Sequence, residues 1–398
     1  MTIRICGDEW MDIKKLGEIC TIVSGGTPSR TNTEFWDGGT IPWIKIGDIK
    51  EKHVSKADEY ITQAGLDGSS AKMLSKGTIL YTIFATLGEA GILTIDACTN
   101  QAIAGITIKN QDEVLADYLY YYLKSKKSYV NNLGRGVAQN NINLSILRNL
   151  EVPLPALPTQ RQTVDILDKT AKVIEYRQQQ LQKLDDLVKA RFVELFVATD
   201  AASDWPYCTI ADVSNDMRTG PFGSALHHDE FVDSGVFVLG IDNAVENKFS
   251  YNRMRYITAE KYQELKRYTV YPGDVIITIM GTVGRSAVIP ADMPKAINTK
   301  HLACITPNAK MVNAQFLSCA FQVHPDIRAQ LQKQCKGAIM DGLNLTIIKG
   351  LSFHIPPINL QDRFVGFYEQ ADKSKVAVQK ALDEAQLLFD SLMQKYFG

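Results

Sequence analysis

The hydrophobic pattern of this chain passes twice from short strand-like runs to a long helical stretch. The strand-like runs are rich in Ile, Thr and aromatic residues and are bounded by glycines, which is typical of strands. They lie at 41–46, 78–83 and 150–154 in the first half and at 236–241, 274–279 and 351–355 in the second. Helical patterns at 117–126 and 314–322 precede the last run of each half. The pattern therefore predicts two similar α+β domains.

Each predicted domain is followed by a stretch without helix breakers. Residues 159–197 contain no Gly or Pro. Apolar residues recur there every seven positions, at Leu167, Ile174, Leu181, Val188 and Leu195. Residues 362–397 have apolar side chains at three- and four-residue spacing, which predicts a second helix. An isolated helix of about 35 residues, about 50 Å long, would expose its apolar stripe. We expect the two helices to pair antiparallel as a coiled coil, and an ordinary core-packing helix is the alternative.

The two halves of the chain are related by an internal repeat. Residues 143–150 recur as 344–351, and the same spacing joins Gln160 to Gln361. A repeat of about 200 residues is too long for a solenoid, whose units have roughly 20–50 residues. The predicted fold is therefore mixed α+β. It has two similar globular domains, separated by two long antiparallel coiled-coil helices, and a pseudo-two-fold internal repeat.

The repeat also sets the predicted domain boundaries. Upstream of the long helices the spacing between matched residues shrinks, and Gly26 is matched with Gly220. Loops of different length on a fixed scaffold explain such a drift. The predicted segments are an N-terminal segment at 1–14, a first globular domain at 15–155, a helix and linker at 156–200, a second globular domain at 201–355 and a second helix at 356–398.

Composition argues against several classes of protein. The 398 residues have a net charge of −1, which disfavours strong DNA binding by this chain alone. Seven cysteines show no CxxC spacing, so neither a zinc site nor a disulfide framework is predicted. The sequence begins without a signal-peptide pattern and has no apolar run of the roughly 18–20 residues that a membrane span needs. We therefore expect a cytoplasmic protein without a membrane partner.

A search for catalytic motifs finds nothing specific. The chain has neither a GxxxxGK[ST] phosphate loop nor a GxGxxG fingerprint. It also lacks the tetrapeptide expected of a DNA amino-methyltransferase and the acidic cluster of a nuclease. Adjacent His227, His228 and Asp229 are poorly placed to share one metal ion, and Cys98 has no recognisable histidine partner. No catalysis is predicted, although an unrecognised active site in the loop 25–30 is an alternative.

Polar, glycine-containing loops remain, at matched places in both halves. Glycine lets the backbone approach a phosphate, and Ser, Thr, Arg and Lys donate hydrogen bonds to phosphates and bases. Asn and Gln can bond adenine, whereas Arg and Lys can read guanine. An ordinary turn is the alternative for each loop taken alone. The candidate DNA-binding residues are Ser29, Arg30, Thr31, Lys45, Asn100, Gln101, Arg135 and Gln139 in the first half and Arg218, Thr219, Ser224, Arg285, Lys300, His301 and Lys336 in the second.

The order of these motifs resembles the specificity (S) subunit of type I restriction–modification systems, over nearly the whole chain. No single segment is decisive, but their duplicated order is specific. The segments that carry the resemblance are 16–19, 24–29, 97–104, 273–276, 281–284 and the proline-containing stretches 152–155 and 355–357, which precede Gln160 and Gln361.

The resemblance implies two target-recognition domains, each reading one half of a bipartite, asymmetric site in double-stranded DNA. The helix pair would act as a ruler and as the dock for two methyltransferase (M) subunits. Those subunits would carry S-adenosylmethionine and methylate adenine at N6, and restriction (R) subunits would use ATP and Mg²⁺ to translocate and cleave DNA. The S chain itself would bind no cofactor or metal. The alternatives are the recognition subunit of a methyltransferase without a restriction partner, and a two-domain protein-binding scaffold.

Overall fold

The structure is a computed structural model that describes residues 2–4, 10–134, 141–222, 225–335 and 343–398. The chain divides into two units, one formed by Met1–Gln178 with Lys380–Gly398 and the other by Gln179–Gln379. Each unit combines β-sheets with helices, so the predicted mixed α+β class is confirmed. We call the part of the chain before the first long helix the first domain, and the part between the two long helices the second domain.

The two domains share much of the order of their strands and helices. Those of the first domain are β1 (Thr2–Arg4), β2 (Trp10–Lys15), α1 (Leu16–Ile19), β3 (Cys20–Ser24), β4 (Ile41–Ile44), β5 (His53–Val54), β6 (Glu59–Ile61), α2 (Gln63–Asp67), β7 (Ile79–Thr82), β8 (Ala90–Leu93), β9 (Cys98–Thr99), β10 (Ile103–Ile108), α3 (Ala116–Ser125), α4 (Lys127–Gly134), α5 (Leu144–Arg148) and β11 (Glu151–Leu154). The long helix α6 (Leu157–Phe196) follows. Those of the second domain are β12 (Tyr207–Thr209), β13 (Ser214–Thr219), β14 (Val236–Leu239), β15 (Tyr256–Ile257), α7 (Ala259–Leu265), β16 (Thr269–Val270), β17 (Val275–Thr278), β18 (Ser286–Val288), β19 (Ala296–Asn298), β20 (Leu302–Pro307), α8 (Ala314–Val323), α9 (Pro325–Cys335), α10 (Leu345–Gly350) and β21 (Ser352–His354). The second long helix is α11 (Ile358–Phe397). Among the described residues, β1, α1 and β5 occur in the first domain alone and β16 in the second alone.

Sheet topology confirms the duplication. The main sheet of the first domain has the order β3-β10-β7-β8-β5, and that of the second has β13-β20-β17-β18. Beside it, β4 pairs antiparallel with β6 and parallel with β9, and β14 pairs in the same way with β15 and β19. The central strands β7 and β17 are buried at all four positions, which explains their unbroken apolar runs.

The strand register corrects one matched pair. Ser24 lies opposite Ala104 in the first domain, and Thr219 lies opposite Ala303 in the second. The glycine that follows Ser24 is Gly25, so Gly25 and not Gly26 is the structural counterpart of Gly220. Matching two glycine-containing loops by letters alone was wrong by one position, because the first loop contains two consecutive glycines.

Within the second unit, the segments of the two long helices run antiparallel, as predicted. In the second unit, the ring of Phe364 near the start of α11 lies 5.3 Å from Phe192 and 5.4 Å from Phe196 near the end of α6. Further along α11, Lys375 forms an ion pair with Asp185, which is earlier in α6. Residues later in α11 therefore contact residues earlier in α6.

The end of each long helix packs on a domain core, through a matched aromatic contact. In the first unit, Phe397 at the end of α11 lies 5.2 Å from Tyr118 in α3. In the second unit, Phe196 at the end of α6 lies 4.8 Å from Phe316 in α8. All four rings are at most 3% exposed, and full burial of one such side chain contributes about 1.5–3 kcal/mol. Each unit thus contains the beginning of one long helix and the end of the other.

A buried glutamine fastens the beginning of each long helix. Gln160 accepts a hydrogen bond from the Leu115 N–H at 3.0 Å and donates to the Glu113 and Pro155 carbonyls, both at 2.9 Å. Gln361 makes the matched three bonds in the second unit, to the backbone of Met311, Asn313 and Pro356. Both side chains are fully buried, and each amide group is bonded to the loop before α3 or α8 and to the proline stretch before its own long helix.

Candidate nucleic-acid interface

Three loops of the first domain meet at one edge of its sheets, which we call the first loop edge. The Gly25 N–H donates to the Ile103 carbonyl at 3.1 Å, and the Gly26 N–H donates to the Thr99 carbonyl at 2.8 Å. A Cβ atom at Gly25 would lie 2.2 Å from Thr99 Oγ1, so this close approach requires glycine. The Ile83 N–H donates to the Ala102 carbonyl at 2.8 Å, which brings in the turn after β7.

The second domain builds a matched edge, which we call the second loop edge. A Cβ atom at Gly220 would lie 2.2 Å from the Asn298 carbonyl oxygen. The Thr299 N–H donates to the Leu239 carbonyl at 2.9 Å, and the Ile279 N–H donates to the His301 carbonyl at 2.9 Å. The loops that were matched in the sequence therefore meet in space in both domains.

The turn after the central strand is the same in both domains. In the second domain, Thr278 Oγ1 donates to the Thr282 carbonyl and accepts from the Arg285 N–H at 3.0 Å. Thr82 makes the matched bonds to Thr86 and Glu89 in the first domain. A buried threonine therefore fixes the direction in which residues 89 and 285 leave the turn.

Arg30 is the most strongly organised candidate at the first loop edge. Its guanidinium carbon lies 3.8 Å from the ring centroid of Trp36 and 4.9 Å from that of Trp43. Glu59 forms an ion pair with Arg30 and another with Lys45. The Arg30 side chain is nevertheless 51% exposed, so a stacked and paired guanidinium still faces solvent.

The charges of Arg30, Lys45 and Glu59 stabilise one another. The hydrogen bond from Lys45, followed by that from Arg30, holds the pKa of Glu59 below its usual value. The Glu59 carboxylate in turn raises the pKa of Lys45. Lys45 is therefore charged at neutral pH. Both Arg30 and Lys45 are held by Glu59 where β4 ends and β6 begins, at the first loop edge.

The other first-domain candidates are surface groups with local partners. Ser29 and Thr31 are exposed, and their hydroxyl oxygens lie 2.9 Å apart. Asn100 is half-buried, and its Oδ1 accepts from the Ala102 N–H at 3.1 Å. Gln101 is exposed and accepts from the hydroxyl of Thr27. Asn100 therefore has its amide N–H donors, rather than its amide oxygen, to offer to a base.

At the second loop edge, three of the candidates form a basic group. Arg285 and Lys300 are exposed, and His301 is half-buried. Desolvation lowers the pKa of His301, and the charges of Lys300 and Arg255 lower it further. His301 is therefore neutral at pH 7, and Arg255 is one of the positive charges near it.

A comparison with protein families decides the assignment. The type I restriction modification DNA specificity domain matches the chain twice, at residues 7–186 and 203–385. The chain belongs to the family of type I restriction–modification specificity subunits. One relative is the specificity subunit of the type I restriction enzyme MjaIX of Methanocaldococcus jannaschii, which is 23% identical over 97% of this chain and 92% of its own length. Another is the EcoR124I/EcoR124II specificity subunit of Escherichia coli, 28% identical over 45% of this chain and 48% of its own length.

Solved structures show the same fold. The S subunit of a type I system from M. genitalium superposes with a TM-score of 0.57 at 16% identity, over 100% of this chain and 98% of that one. A chain from a study of complex assembly and conformational transition of the type I R-M system gives 0.63 at 15% identity, over 99% of both chains. The specificity subunit described here therefore has the same fold as these chains. Its family membership makes it a non-catalytic subunit.

Arg218 of this specificity subunit is not placed for DNA contact. Its guanidinium donates to the Thr269 carbonyl at 2.8 Å and to Thr306 Oγ1 at 2.9 Å, and it forms ion pairs with Asp216 and Asp274. The Arg218 side chain is 11% exposed and that of Asp274 is 1% exposed. Arg218 neutralises a buried carboxylate, so we reassign it from DNA contact to the interior. The neighbouring Thr219 ends β13 and is half-buried.

Some of the remaining predicted site residues lie outside the described residues, and the geometry disfavours the metal site and the nucleophile that were considered. Arg135, Gln139, Ser224 and Lys336 lie outside the described residues. Within the described part of the chain, no cluster of His, Cys, Asp or Glu could hold a metal ion. Burial raises the pKa of the Cys98 thiol to about 11, which makes it a poor nucleophile. No helix of the described ranges combines the length and apolar character needed to cross a bilayer.

Sequence reasoning missed Arg255 and the partners of Arg30. Arg255 immediately precedes the Tyr-Ile-Thr triplet at 256–258, which recurs as 60–62. Comparing the residue before each triplet would have revealed Glu59 and Arg255 as an unlike pair. Phe84 and Met280 were missed as well, although each is exposed at the matched end of the central strand. Stacking of Arg30 on Trp36 could not be inferred, because it depends on the path of the loop 30–36.

Proposed function

We propose that this specificity subunit selects the DNA sequence on which a type I restriction–modification complex acts. Each domain reads one half of a bipartite site in double-stranded DNA through its loop edge. The observation that supports this most is the duplication of one loop edge on two matched scaffolds. A protein that presents the same backbone arrangement twice, with different side chains on it, is suited to reading two short sequences separated by a spacer.

The chemistry of the loop edges supports recognition of nucleic acid. Arg and Lys donate to guanine O6 and N7 or to phosphate oxygens, and Asn donates to adenine. The first loop edge presents Arg30 and Lys45, and the second presents Arg285 and Lys300. Stacking on Trp36 fixes the position of the Arg30 guanidinium before DNA arrives, which lowers the entropy lost on binding.

The low net charge of the chain favours action within a complex. A net charge of −1 provides little overall attraction for DNA, and each phosphate that a protein neutralises steepens the salt dependence of binding. We propose that two M subunits supply the missing phosphate contacts and carry S-adenosylmethionine for adenine N6 methylation. R subunits with ATP and Mg²⁺ would add DNA cleavage, and the specificity subunit itself would bind no cofactor.

The long helices offer the surface on which M subunits would dock. Leu187 in α6 is 49% exposed and Leu388 in α11 is 54% exposed, and the two occupy matched positions of the repeat. Tyr176 and Leu387 are exposed on the same helices. Large apolar side chains on a solvent-facing helix surface mark a protein-binding site, and two matched leucines fit two copies of one partner.

A binding experiment with the cognate M subunit tests the proposal. The M–S complex and M alone are titrated with duplexes carrying the sequence whose adenines become methylated in a host expressing both subunits. The complex should bind that duplex at least ~10³-fold more tightly than a scrambled duplex, and M alone should show no preference. Equal affinity of the complex for both duplexes would refute the proposal.

A second experiment tests the helices as a ruler. Inserting one heptad after Gln180 lengthens α6 by about 10 Å, and the same insertion at the matched place in α11 keeps the helix pair in register. The doubly extended subunit should shift methylation to sites with a longer spacer and unchanged half-sites. An unchanged spacer in an active complex would show that the helices do not set it.

A further inference from the structure

The two loop edges differ in charge at four matched positions. The matched pairs, first domain before second, are Glu59 and Arg255, Glu89 and Arg285, Gln101 and Lys300, and Ala102 and His301. We call these the exchange positions. The first domain places two carboxylates there, and the second places three permanent cations and an imidazole.

Backbone pairing establishes the first exchange position. Glu59 in β6 lies opposite Trp43 of β4. In the second domain, the Val238 N–H of β14 donates to the Arg255 carbonyl at 2.8 Å, immediately before β15. Both strands are then followed by a threonine that caps a short helix, Thr62 in one domain and Thr258 in the other. Glu59 and Arg255 therefore occupy the same place on the same scaffold.

The other exchange positions are set by the bonds described for the loop edges. Glu89 and Arg285 each donate a backbone N–H to the buried threonine of the turn, at 2.8 and 3.0 Å. Ala102 and His301 each accept from the residue after the central strand. Gln101 and Lys300, the residues before them, are therefore matched as well.

The side chains that pair with the exchange positions also differ in the sign of their charge between the two domains. In the first domain, Glu59 pairs with Lys45 and Arg30, and Glu89 pairs with Lys127. Much of the positive charge of the first loop edge is thus neutralised by its own carboxylates.

In the second domain, Asp242 pairs with Arg255. A Cβ atom at Gly240 would lie 2.4 Å from Arg255 Nη1, so glycine at that position leaves room for the guanidinium. The Arg255 side chain is 20% exposed, and Asp242 holds it in place while the charges of Lys300 and Arg285 remain at the surface.

From these differences we infer that Arg255 is a specificity-determining residue of the second domain. Its guanidinium binds hydrogen-bond acceptors of the DNA, either the O6 and N7 atoms of a guanine or phosphate oxygens next to the base pairs read by Lys300. The matched Glu59 cannot bind such acceptors and instead positions Arg30 and Lys45. This inference rests on the proposed function, since it assigns chemistry to the same loop edges.

The test uses the full-length subunit in complex with M, in the variants Arg255→Gln, Arg255→Lys and Lys310→Gln. Lys310 is the matched control, because it is an exposed cation beyond the far end of β20. Six residues of strand separate it from the second loop edge by about 17 Å. The half-site read by the second domain is identified first, as the half that stays unchanged when residues 15–155 are exchanged for those of a relative. Affinity is then measured for duplexes with every single base-pair change, at several salt concentrations.

Two results would support the inference, and they distinguish the sources of the acceptors. If Arg255 reads guanine, both Arg255 variants lose about 5- to 150-fold discrimination at one base pair of the second half-site. If it binds phosphate, Arg255→Gln weakens binding to all duplexes alike and lowers the salt slope by about one unit. In that case Arg255→Lys stays close to the unmodified protein, because the charge is kept.

Two other results would overturn it. Arg255 variants that match Lys310→Gln in affinity, salt slope and base preference would show that Arg255 does not contact DNA. Altered preference in the first half-site would show that the residue acts elsewhere. Unfolding midpoints of all three variants reveal any misfolding, and Arg255→Lys keeps the ion pair with Asp242 available. If the unmodified complex itself showed no sequence preference, the proposed function would fail and not this inference alone.

Discussion

At matched places in the main sheet, the first domain is uncharged where the second domain holds a buried ion pair. In the first domain, Val23 of β3 packs against an apolar cluster. Thr78, before the central strand, lies with its hydroxyl oxygen 3.1 Å from that of Thr107 on β10. The hydroxyl pair satisfies both groups without any charge.

The second domain has Arg218 at the place of Val23 and Asp274 at the place of Thr78. The register of β13 and the bonds around the central strand establish both matches, and Thr306, the counterpart of Thr107, donates to Asp274 at 2.7 Å. A carboxylate that is 1% exposed needs a counter-charge, because an unpaired buried charge costs several kcal/mol. The comparison shows that the shared scaffold tolerates different interiors provided that the partners change together.

The largest effect is expected from breaking this pair on one side only. Arg218→Val leaves Asp274 without its counter-charge and should lower the free energy of unfolding of the second unit by about 3–5 kcal/mol. Adding Asp274→Thr recreates the arrangement of the first domain and should recover most of that loss. Urea unfolding of the single and double variants measures both values.

A double variant as unstable as Arg218→Val would contradict this account. It would mean that the second domain needs the charges themselves and not merely their balance. Asp216→Asn serves as the control, since Asp216 is 59% exposed and its ion pair with Arg218 should contribute little.

The next effect should be equal in the two units, because the glutamine bonds are equal. Replacing Gln160 or Gln361 by Met keeps the volume but leaves one buried N–H and two carbonyls without their partner. Each substitution should cost about 2–3 kcal/mol, since an unsatisfied buried group costs about 1–3 kcal/mol. Urea unfolding followed by hydrogen exchange assigns the loss to a unit.

Gln162→Met is the matched control on the same helix, because Gln162 is exposed. A loss confined to one of the two glutamines would show that the long helices are not fastened in the same way.

A smaller difference between the units should appear with acid. His324 follows α8, is buried, and accepts a hydrogen bond from the Asp326 N–H at its Nδ1. Desolvation lowers its pKa below the ordinary value of 6.5, and His354 adds to this while Asp326 opposes it. As the pH falls, the unfolded chain therefore takes up the proton before the folded chain does. The free energy of unfolding of the second unit should decrease below about pH 6.5, by at most about 1.4 kcal/mol for each step of one in pH.

The first unit has Lys126 at the matched place, with its ammonium donating to the Phe397 carbonyl, and has no such buried imidazole there. His324→Gln keeps an acceptor for Asp326 and should flatten the decline of the second unit between pH 6.5 and 5. An unchanged slope in thermal unfolding over that range would assign the acid sensitivity to other groups.

The smallest effect concerns the turn after the central strand. Ala85 has a φ of +62°, whereas its counterpart Gly281 has +72°. This conformation costs a residue with a Cβ atom about 1–2 kcal/mol. Glycine avoids that cost, but part of its advantage is offset because it loses more conformational freedom on folding. Ala85→Gly should therefore stabilise the first unit by about 0.5–1 kcal/mol, and Gly281→Ala should destabilise the second by a similar amount.

Space does not explain the expected loss, because a Cβ atom at Gly281 would lie an ordinary 3.6 Å from Ile241 Cδ1. Thermal unfolding of the two variants is the measurement. Changes of the same sign in both would contradict a cause in backbone conformation.

Features that recur along the chain could be predicted from the sequence. The strand predicted at 78–83 is observed as Ile79–Thr82, and the helix predicted at 159–197 as Leu157–Phe196. The existence of each element was predicted correctly and its ends only to within one or two residues, because a periodic pattern identifies an element but does not fix where it begins and ends. The antiparallel course of the helices followed from their exposed stripes and from the repeat. These predictions depended on patterns that extend over many residues.

Residues whose role depends on a single distant partner could not be predicted. Arg218 stands in an Arg-Thr-Gly segment that looks like a DNA-binding loop, and only the fold brings it to Asp274. Arg255 has no motif of its own and becomes notable only beside Glu59. Side-chain charge at a matched position is visible in the sequence, but the match itself required the strand register.

The central claim, that two domains on one scaffold read the two half-sites independently, is tested most directly by exchanging residues 15–155 for the equivalent domain of a relative. Methylated adenines are then mapped across the genome of a host that makes the hybrid subunit with M. We predict that one half of the methylated sequence changes while the other half and the spacer stay the same. Changes in both halves, or in neither, would contradict independent reading.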